Sequence, residues 1–141
     1  MPESITAQAP YVFSLPGNSS ETGSLHFWEN LELFPDGIQR CFWISGVKEG
    51  ETRGNHAHWQ ESQVIVAVAG SVQLEIQSAQ GEVYYFDIDS PGQAVFIPPL
   101  NWLVARFSPN SVLLGMSDRA FSEDDYIRDL DNFGKLQERN K

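Results

Sequence analysis

The stretch Arg53-Gly54-Asn55-His56-Ala57-His58 is the starting point for predicting the fold of this chain. It lies among short runs of residues that are typical of β-strands. Alternate side chains of a β-strand point to the same face. His56 and His58 should therefore project side by side into the space that this face encloses. Two imidazoles in one space indicate either half of a metal site or a set of proton-transfer groups. The structural alternative is a pair of core histidines satisfied by their neighbours.

Composition limits the class of protein. The chain has 141 residues and is predicted to form one domain, residues 1–141, with a core over about residues 11–133 and a fraying polar tail at 134–141. The formal net charge of −10 argues against binding to nucleic acid or to anionic lipid. A single cysteine, Cys41, excludes an internal disulfide and is typical of a reducing compartment. The opening MPESITAQAP has no signal-peptide pattern, and no apolar run approaches the roughly 20 residues of a membrane span. A cytoplasmic protein is expected.

Short apolar or alternating runs separated by Gly and Pro predict an all-β sandwich or barrel. The predicted strands cover residues 11–15, 23–28, 38–45, 54–58, 63–69, 71–77, 82–89, 94–97, 104–107 and 111–117. Residues 71–77 alternate cleanly and predict a strand with one wet face. Residues 64–68 predict a strand buried on both sides. The one predicted helix covers residues 122–130, with Ser122 as a possible N-cap.

The spacing of Gly50, the His56-x-His58 pair, Gln63 and Gly70 resembles the first motif of the cupins. This resemblance implies a double-stranded β-helix, or jelly-roll, barrel, here with a short C-terminal helix. The second cupin motif is matched only in part. Gly92 and Pro98 are present, but Leu100 stands where that motif has glycine and Leu103 stands where it has histidine.

These departures bear on metal binding. A divalent transition metal needs three or four N, O or S ligands. Gln63 is a poor ligand and Leu103 is none, while Glu61 is expected to point away from the pocket. We therefore predict no bound metal, and either metal-free acid–base chemistry or ligand binding.

A closer resemblance rests on the RGNHAH stretch together with Pro98-Pro99, Trp102, and the ending Asp124-Asp125-Tyr126-Ile127-Arg128 with Asp131-Asn132-Phe133. These segments resemble the sugar 3,4-ketoisomerases that act on dTDP-4-keto-6-deoxyglucose. These enzymes form the branch of the cupins called WxcM-like or FdtA/QdtA-like. The similarity covers roughly residues 11–133.

The resemblance implies an isomerase that converts a 4-keto sugar into its 3-keto isomer through an enediol, with no metal and no cofactor. It implies that His56 and His58 are the catalytic proton-transfer pair, with His58 slightly favoured as the base at carbon. The substrate would be a dTDP-linked nucleotide sugar in deoxysugar biosynthesis for surface polysaccharides such as O-antigen. A homodimer is also implied, and residues 11–28 could pair with the second subunit.

Four further residues are candidates for substrate binding. Arg40 shares a strand face with apolar residues and should meet an anion, either a substrate phosphate or a protein carboxylate. Arg53 is a candidate for phosphate or oxyanion contact, or else a solvated loop residue. Gln63 could bind a sugar hydroxyl or orient a histidine. Trp102 could stack on the substrate or simply pack in the core.

Two family positions differ, since Phe42 or Trp43 replaces a tyrosine and Leu103 replaces a histidine. A non-catalytic nucleotide-sugar-binding module and a 3,5-epimerase-like cupin therefore remain alternatives, and a metal-dependent dioxygenase-type cupin is the least favoured. His26 is interpreted as a structural or interface residue. The acidic cluster at residues 123–131 is interpreted as a solvated helix face, and Tyr126 and Phe133 as clamps on the terminal segment.

Overall fold

Twelve β-strands, one 3₁₀ turn and one α-helix follow one another along the chain in a computed structural model that describes residues 7–29 and 32–140. The first six strands are β1 (Tyr11–Ser14), β2 (Gly17–Ser20), β3 (Gly23–His26), β4 (Arg40–Ser45), β5 (Thr52–His58) and β6 (Gln63–Ala69). The later elements are β7 (Val72–Ser78), β8 (Val83–Ile88), β9 (Gln93–Ile97), β10 (Asn101–Phe107), β11 (Val112–Ser117), the 3₁₀ turn (Glu123–Asp125), β12 (Tyr126–Ile127) and α1 (Leu130–Arg139).

The strands form two antiparallel five-stranded sheets that face each other. The first has the order β1-β9-β6-β11-β4 and the second has the order β12-β5-β10-β7-β8. Strands β2 and β3 form a separate exposed hairpin. The side chains that both sheets direct inward make one core, comprising Ile65, Ala67, Val72, Leu74, Ile76, Ile88, Val95, Ile97, Leu103, Ala105, Phe107 and Leu113. This jelly-roll arrangement confirms the predicted fold class.

Period-two patterning accounts for most of the strand register. In β7, Val72, Leu74 and Ile76 are buried, as the alternation predicts. In β6, Val64 and Val66 pack outward under the N-terminal segment while Ile65 packs inward. The strand is therefore buried on both faces, as predicted, until its exposed end at Val68 and Ala69.

A β-bulge shapes the histidine strand. Leu103 of β10 pairs with His56, but the next residue, Val104, pairs with Gly54, so Asn55 is the extra residue. Gly54 has φ +89° and Asn55 has φ +58°, a conformation that glycine and asparagine tolerate best. A Cβ on Gly54 would lie 2.8 Å from the carbonyl oxygen of Leu103. The bulge therefore requires glycine at position 54.

The C-terminal prediction was wrong. Residues 122–130 form a 3₁₀ turn and a short strand, and the helix starts only at Leu130, after Asp129 accepts a hydrogen bond from the Asp131 amide. The helix runs to Arg139 through the segment predicted to fray. It is held because Phe133 and Leu136 are buried against the outer face of the second sheet.

The structure also bears on smaller predictions. His26 packs against Gly92, where a Cβ would lie 2.9 Å from His26 Cε1, which supports its structural interpretation. Within residues 7–29 and 32–140, the chain forms no helix with the length and apolar character that crossing a membrane requires. The signal-peptide prediction concerned residues 1–10, and the first six of these lie outside the described part of the chain.

Candidate active site

The histidine pair lies on the inner face of β5, where sequence periodicity placed it. The ring centroids of His56 and His58 are 4.9 Å apart, and the rings are almost perpendicular, at 82°. The Tyr126 ring covers both, with centroid distances of 5.1 Å to His56 and 4.2 Å to His58. Strand β12 fixes this contact because Tyr126 pairs directly with His58 in the sheet.

A cavity of about 440 Å³ opens in front of His56. Its wall combines charged, polar and apolar side chains: Arg40, Phe42, Ile44, Thr52, Arg53, Asn55, His56, Gln63, Ile65, Leu103, Ala105, Leu113, Tyr126 and Arg128, together with Gly54. His58 lies deeper, in a recess of about 10 Å³ that shares His56, Gln63 and Leu103 with the cavity. A larger groove of about 650 Å³, next to Trp59 and Phe121, is lined by neither histidine.

His58 lies between two carboxylates. Its Nδ1 is 3.4 Å from Asp125 Oδ2, and its Nε2 is 3.4 Å from Glu61 Oε2. Asp125 is itself anchored, because its two carboxylate oxygens accept hydrogen bonds from the amides of Gln60 (2.8 Å) and Glu61 (3.0 Å). A carboxylate beside each ring nitrogen stabilises the imidazolium form of His58 when it takes up a proton.

The expectation that Glu61 points away from the pocket was wrong. Its side chain is only 2% exposed and its carboxylate lies beside His58, Arg40 and Gln63. Simple strand alternation does not apply here, because residues 59–62 form the bend between β5 and β6. The Glu61 amide bonded to Asp125 fixes this bend and holds the Glu61 side chain inside.

The Arg40 prediction is confirmed in one of its two forms. Arg40 Nη2 donates to Glu61 Oε2 at 3.0 Å, so the anion that it meets is a protein carboxylate. Its Nη1 donates to the Arg119 carbonyl oxygen at 3.3 Å. The guanidinium also lies 5.8 Å from the ring centres of Phe42 and Phe121, at the cavity wall.

Two of the other candidates for substrate binding line the cavity. Gln63 Nε2 donates to Glu61 Oε2 at 2.5 Å and lies 3.5 Å from His58 Nε2, which suits the predicted orienting role. Arg53 pairs with Ala105, on the same face as the His56–Leu103 pair, because the bulge at Asn55 shifts the alternation. Arg53 therefore reaches the cavity mouth, where it is exposed.

Trp102 lies outside the cavity, so the prediction that it stacks on the substrate was wrong. Since Leu103 faces the barrel interior, the preceding Trp102 faces outward. Its ring centroid is 5.7 Å from that of Phe133, under the C-terminal helix, and only 7% of the residue is exposed. Core packing, the alternative interpretation, describes Trp102 correctly.

The interpretation of the acidic cluster as a solvated helix face was wrong for Asp125, while Glu123, Asp124, Asp129 and Asp131 are exposed. Asp125 belongs to the site, and Glu123 accepts two hydrogen bonds from Arg128, at 2.6 and 3.0 Å. Arg128 in turn lies 4.0 Å from the Tyr126 ring centre and lines the cavity. Sequence reasoning missed Arg128 and Asp125 as site residues, although both stand in the DDYIR segment that carried the family resemblance.

Burial sets the protonation of the pair. Desolvation and the neighbouring His58 lower the pKa of His56 from 6.5 to about 4, although a hydrogen bond between Nδ1 and the Gly54 carbonyl opposes the shift. Because a carbonyl only accepts, Nδ1 carries the proton, and Nε2 of neutral His56 keeps a free lone pair. Burial also lowers the pKa of His58, against the opposing effects of Glu61 and Asp125.

The low pKa of His56 makes protein stability depend on pH. The histidine of the unfolded chain takes up a proton near its ordinary pKa of 6.5, while the folded protein takes it up only near 4. Above that window both states are neutral, and as the pH falls through it the unfolded state is favoured. We expect urea unfolding to show that His56→Asn gains stability relative to wild type between about pH 7 and pH 5. A stability difference that stays constant with pH would contradict this.

The cupin fold raises the question of a metal, since donor atoms of His58, Glu61 and Asp125 lie within 4.8 Å of one another. The donor chemistry does not fit one. The Glu61 carboxylate is already bonded to the Arg40 guanidinium, and the positions expected to complete a cupin metal shell hold Gln63 and Leu103. A cation here would have to displace or repel Arg40.

Comparison with known proteins identifies the family of the chain. A family model described as "FdtA: WxcM-like, C-terminal" matches residues 9–138. The chain is 32% identical over 114 residues to TDP-4-oxo-6-deoxy-alpha-D-glucose-3,4-oxoisomerase of Aneurinibacillus thermoaerophilus, covering 80% of this chain and 81% of that protein.

Solved structures extend the similarity to three dimensions. The sugar 3,4-ketoisomerase QdtA of Thermoanaerobacterium thermosaccharolyticum, in complex with TDP, superposes with a TM-score of 0.83 at 26% identity, over 92% of this chain and 96% of that one. A 3,4-ketoisomerase from Helicobacter canadensis gives the same TM-score of 0.83 at 28% identity, over 94% and 98% of the two chains. The chain therefore belongs to the FdtA, or WxcM-like, family of sugar 3,4-ketoisomerases.

Proposed function

We propose that this protein converts a dTDP-linked 4-keto-6-deoxy sugar, dTDP-4-keto-6-deoxyglucose, into its 3-keto isomer without a metal. The observation that carries this proposal is the imidazole pair, with His56 lining the cavity and His58 in the adjoining recess between two carboxylates. Support for the substrate comes from a relative, since a histidine-to-asparagine mutant of QdtA, 26% identical over 92% of this chain, was solved in complex with TDP-4-keto-6-deoxyglucose.

In the first step, Nε2 of His58, the ring nitrogen beside the cavity residue Gln63, takes the proton from C3. The electron pair moves to the C4 oxygen, giving an enediolate. His58 is assigned this role because Asp125, beside Nδ1, stabilises the imidazolium that results. In the last step the same imidazolium returns its proton to C4. The hydrogen thus moves from C3 to C4, and His58 is restored.

His56 handles the hydrogen on oxygen. Its free Nε2 accepts the proton of the C3 hydroxyl and passes it to the C4 oxygen, so that the negative charge moves to O3 and re-forms a carbonyl there when C4 is protonated. The pKa of about 4 suits this role because a weakly basic imidazole gives the proton back readily. Neither transfer consumes a cofactor.

The remaining cavity wall matches the proposed substrate. Arg40, Arg53 and Arg128 border the cavity. Arg53 is assigned to the diphosphate, and Arg40 and Arg128, which also bond to Glu61 and Glu123, are assigned to the developing oxyanion. Gln63 is assigned to a sugar hydroxyl or to the orientation of His58. The apolar side chains of the wall, among them Ile65 and Leu113, suit a sugar whose C6 is a methyl group.

We also propose that the single domain acts in the cytoplasm as a homodimer, in deoxysugar synthesis for surface polysaccharides such as O-antigen. The exposed hairpin of β2 and β3 and the exposed Trp43 on the edge strand β4 offer surface for a second copy. Light scattering should give twice the chain mass of 15.8 kDa, and a monomer mass would contradict the dimer.

The assay is direct. Incubation of the protein with dTDP-4-keto-6-deoxyglucose in D₂O, followed by NMR, should give a 3-keto product. Any deuterium that enters by exchange of the imidazolium with solvent should appear at C4 of this product and at C3 of the recovered substrate. A double variant with His56→Asn and His58→Asn is the control for non-enzymatic rearrangement. Deuterium at C5 would indicate a 3,5-epimerase instead.

A non-catalytic nucleotide-sugar-binding module is the second candidate. It is favoured by Phe42 and Leu103, which line the cavity without a polar group where the family resemblance expects tyrosine and histidine. Binding of the sugar nucleotide by calorimetry, with neither product nor deuterium exchange, would support the module and refute the isomerase.

A further inference from the structure

Glu61 occupies a position that the proposed reaction does not yet use. Its Oε2 accepts hydrogen bonds from Arg40 Nη2 (3.0 Å) and Gln63 Nε2 (2.5 Å) and lies 3.4 Å from His58 Nε2. The side chain is 2% exposed, so water cannot stabilise its charge. The charged form of this carboxylate therefore depends on the protein groups around it for stabilisation.

The side chains around His58 set the net charge of this buried site. Arg40 contributes one positive charge, while Glu61 and Asp125 contribute one negative charge each. With His58 neutral, the four side chains carry a net charge of −1, and with His58 protonated they are electrically neutral. Proton uptake by His58 therefore removes an uncompensated charge from a buried site, where such charges are costly.

We propose that Glu61 is a positioning residue for His58: it holds the Nε2 side of the ring and supplies the counter-charge for the imidazolium formed when the sugar loses its C3 proton. This inference rests on the proposed isomerase function. It assigns to Arg40 a second role, since the guanidinium that borders the cavity also pairs with the buried Glu61 carboxylate.

The groups that face His58 shift its pKa in opposite directions. Burial lowers the pKa of His58, as does Arg40 from β4, while Glu61 and Asp125 raise it. His56 packs edge-on against the ring, and Tyr126 from β12 covers it. Burial raises the pKa of Tyr126, so this phenol stays neutral near pH 7. Glu61 and Asp125 therefore both oppose the effect of burial.

The test compares Glu61→Gln with wild type. Glutamine keeps the size and a hydrogen-bond acceptor for Arg40 but removes the negative charge. We expect NMR titration to show a lower pKa for His58, with the acid limb of the pH profile of kcat shifted to lower pH. On the pH plateau, kcat should fall by about tenfold or more while KM changes less. Glu61→Asp should recover part of the loss, because it restores the charge.

Glu75→Gln is the matched control. Glu75 lies in β7, where its carboxylate is 4.0 Å from Arg106 and remote from the histidines, so both His58 and kcat should behave as in wild type. An unchanged His58 titration in Glu61→Gln, with kcat within about twofold of wild type, would overturn the proposal. If Glu61→Gln does not fold, Glu61→Ala removes the same charge, and an unshifted His58 pKa with wild-type kcat in that variant does the same. If wild type itself fails to isomerise the sugar, the proposed function fails, but the His58 titration still decides whether Glu61 sets the charge of that ring.

Discussion

His58→Asn is expected to lower kcat by about 10²-fold or more, with substrate binding largely retained. Asparagine fills the recess beside Asp125 and Glu61 but cannot take up the proton from C3. In D₂O, this variant should therefore lose both turnover and deuterium exchange at C3. His56→Asn should lower turnover to a similar extent but keep measurable exchange at C3, because His58 can still form the enediolate.

The third histidine of the chain provides the control. His26 packs against Gly92 rather than at the cavity, so His26→Asn should turn over as wild type does. Turnover and exchange are followed by NMR on the same samples. Normal rates in the double variant lacking both His56 and His58 would end the acid–base account, and C3 exchange surviving in His58→Asn would transfer the role of carbon base to another group.

Phe133→Ala is expected to destabilise the fold by about 3–5 kcal/mol, because it empties a fully buried ring site under the C-terminal helix. The lost contacts include those with Trp102, whose ring centroid is 5.7 Å away. Chemical denaturation monitored by tryptophan fluorescence measures the change, as a lower free energy of unfolding with the same dependence on denaturant.

Leu130→Ala, in the same helix, separates core packing from helix propensity. Leu130 is 55% exposed, so its truncation should cost less than about 1 kcal/mol. Equal effects of the two substitutions would mean that the helix does not dock as described, and that residues beyond 133 contribute little to the core.

The histidine pair could be predicted because it depends on local geometry alone. Two strand residues separated by one residue share a face whatever the tertiary fold. The residues that pack inward in β7 follow the same period of two. Arg40 was predictable for a related reason, since a charge on an apolar strand face must meet an opposite charge. In each case, the nearest neighbours in sequence carried the information.

Glu61 and Asp125 were not predictable in this way. They reach His58 only because the bend after β5 bonds to the 3₁₀ turn more than 60 residues later, as in the bond from the Glu61 amide to Asp125. Trp102 was misassigned because it preceded the strand predicted at residues 104–107, whereas β10 already begins at Asn101 and directs Trp102 outward. The helix was placed too early because acidic residues indicate a helix start, whereas Phe133 and Leu136 give its buried face.

At Leu100 the backbone conformation expected at a cupin motif position is kept, although the expected glycine is absent. The cupin pattern expects glycine there, and Leu100 does adopt the left-handed conformation, with φ +63°. Its amide donates to the His58 carbonyl at 2.8 Å, so this bend helps to fix the end of the histidine strand. Packing of the Leu100 side chain beside Trp102 and Ala57 offsets the backbone strain. The lost glycine therefore did not signal a lost structure.

The most direct test of metal-free proton transfer by the histidine pair is the isomerase activity of metal-stripped protein. Protein dialysed against chelator, with its metal content measured by mass spectrometry, should convert dTDP-4-keto-6-deoxyglucose at a rate within about twofold of untreated protein. Loss of activity on stripping, with recovery on adding zinc, iron or nickel, would contradict the account.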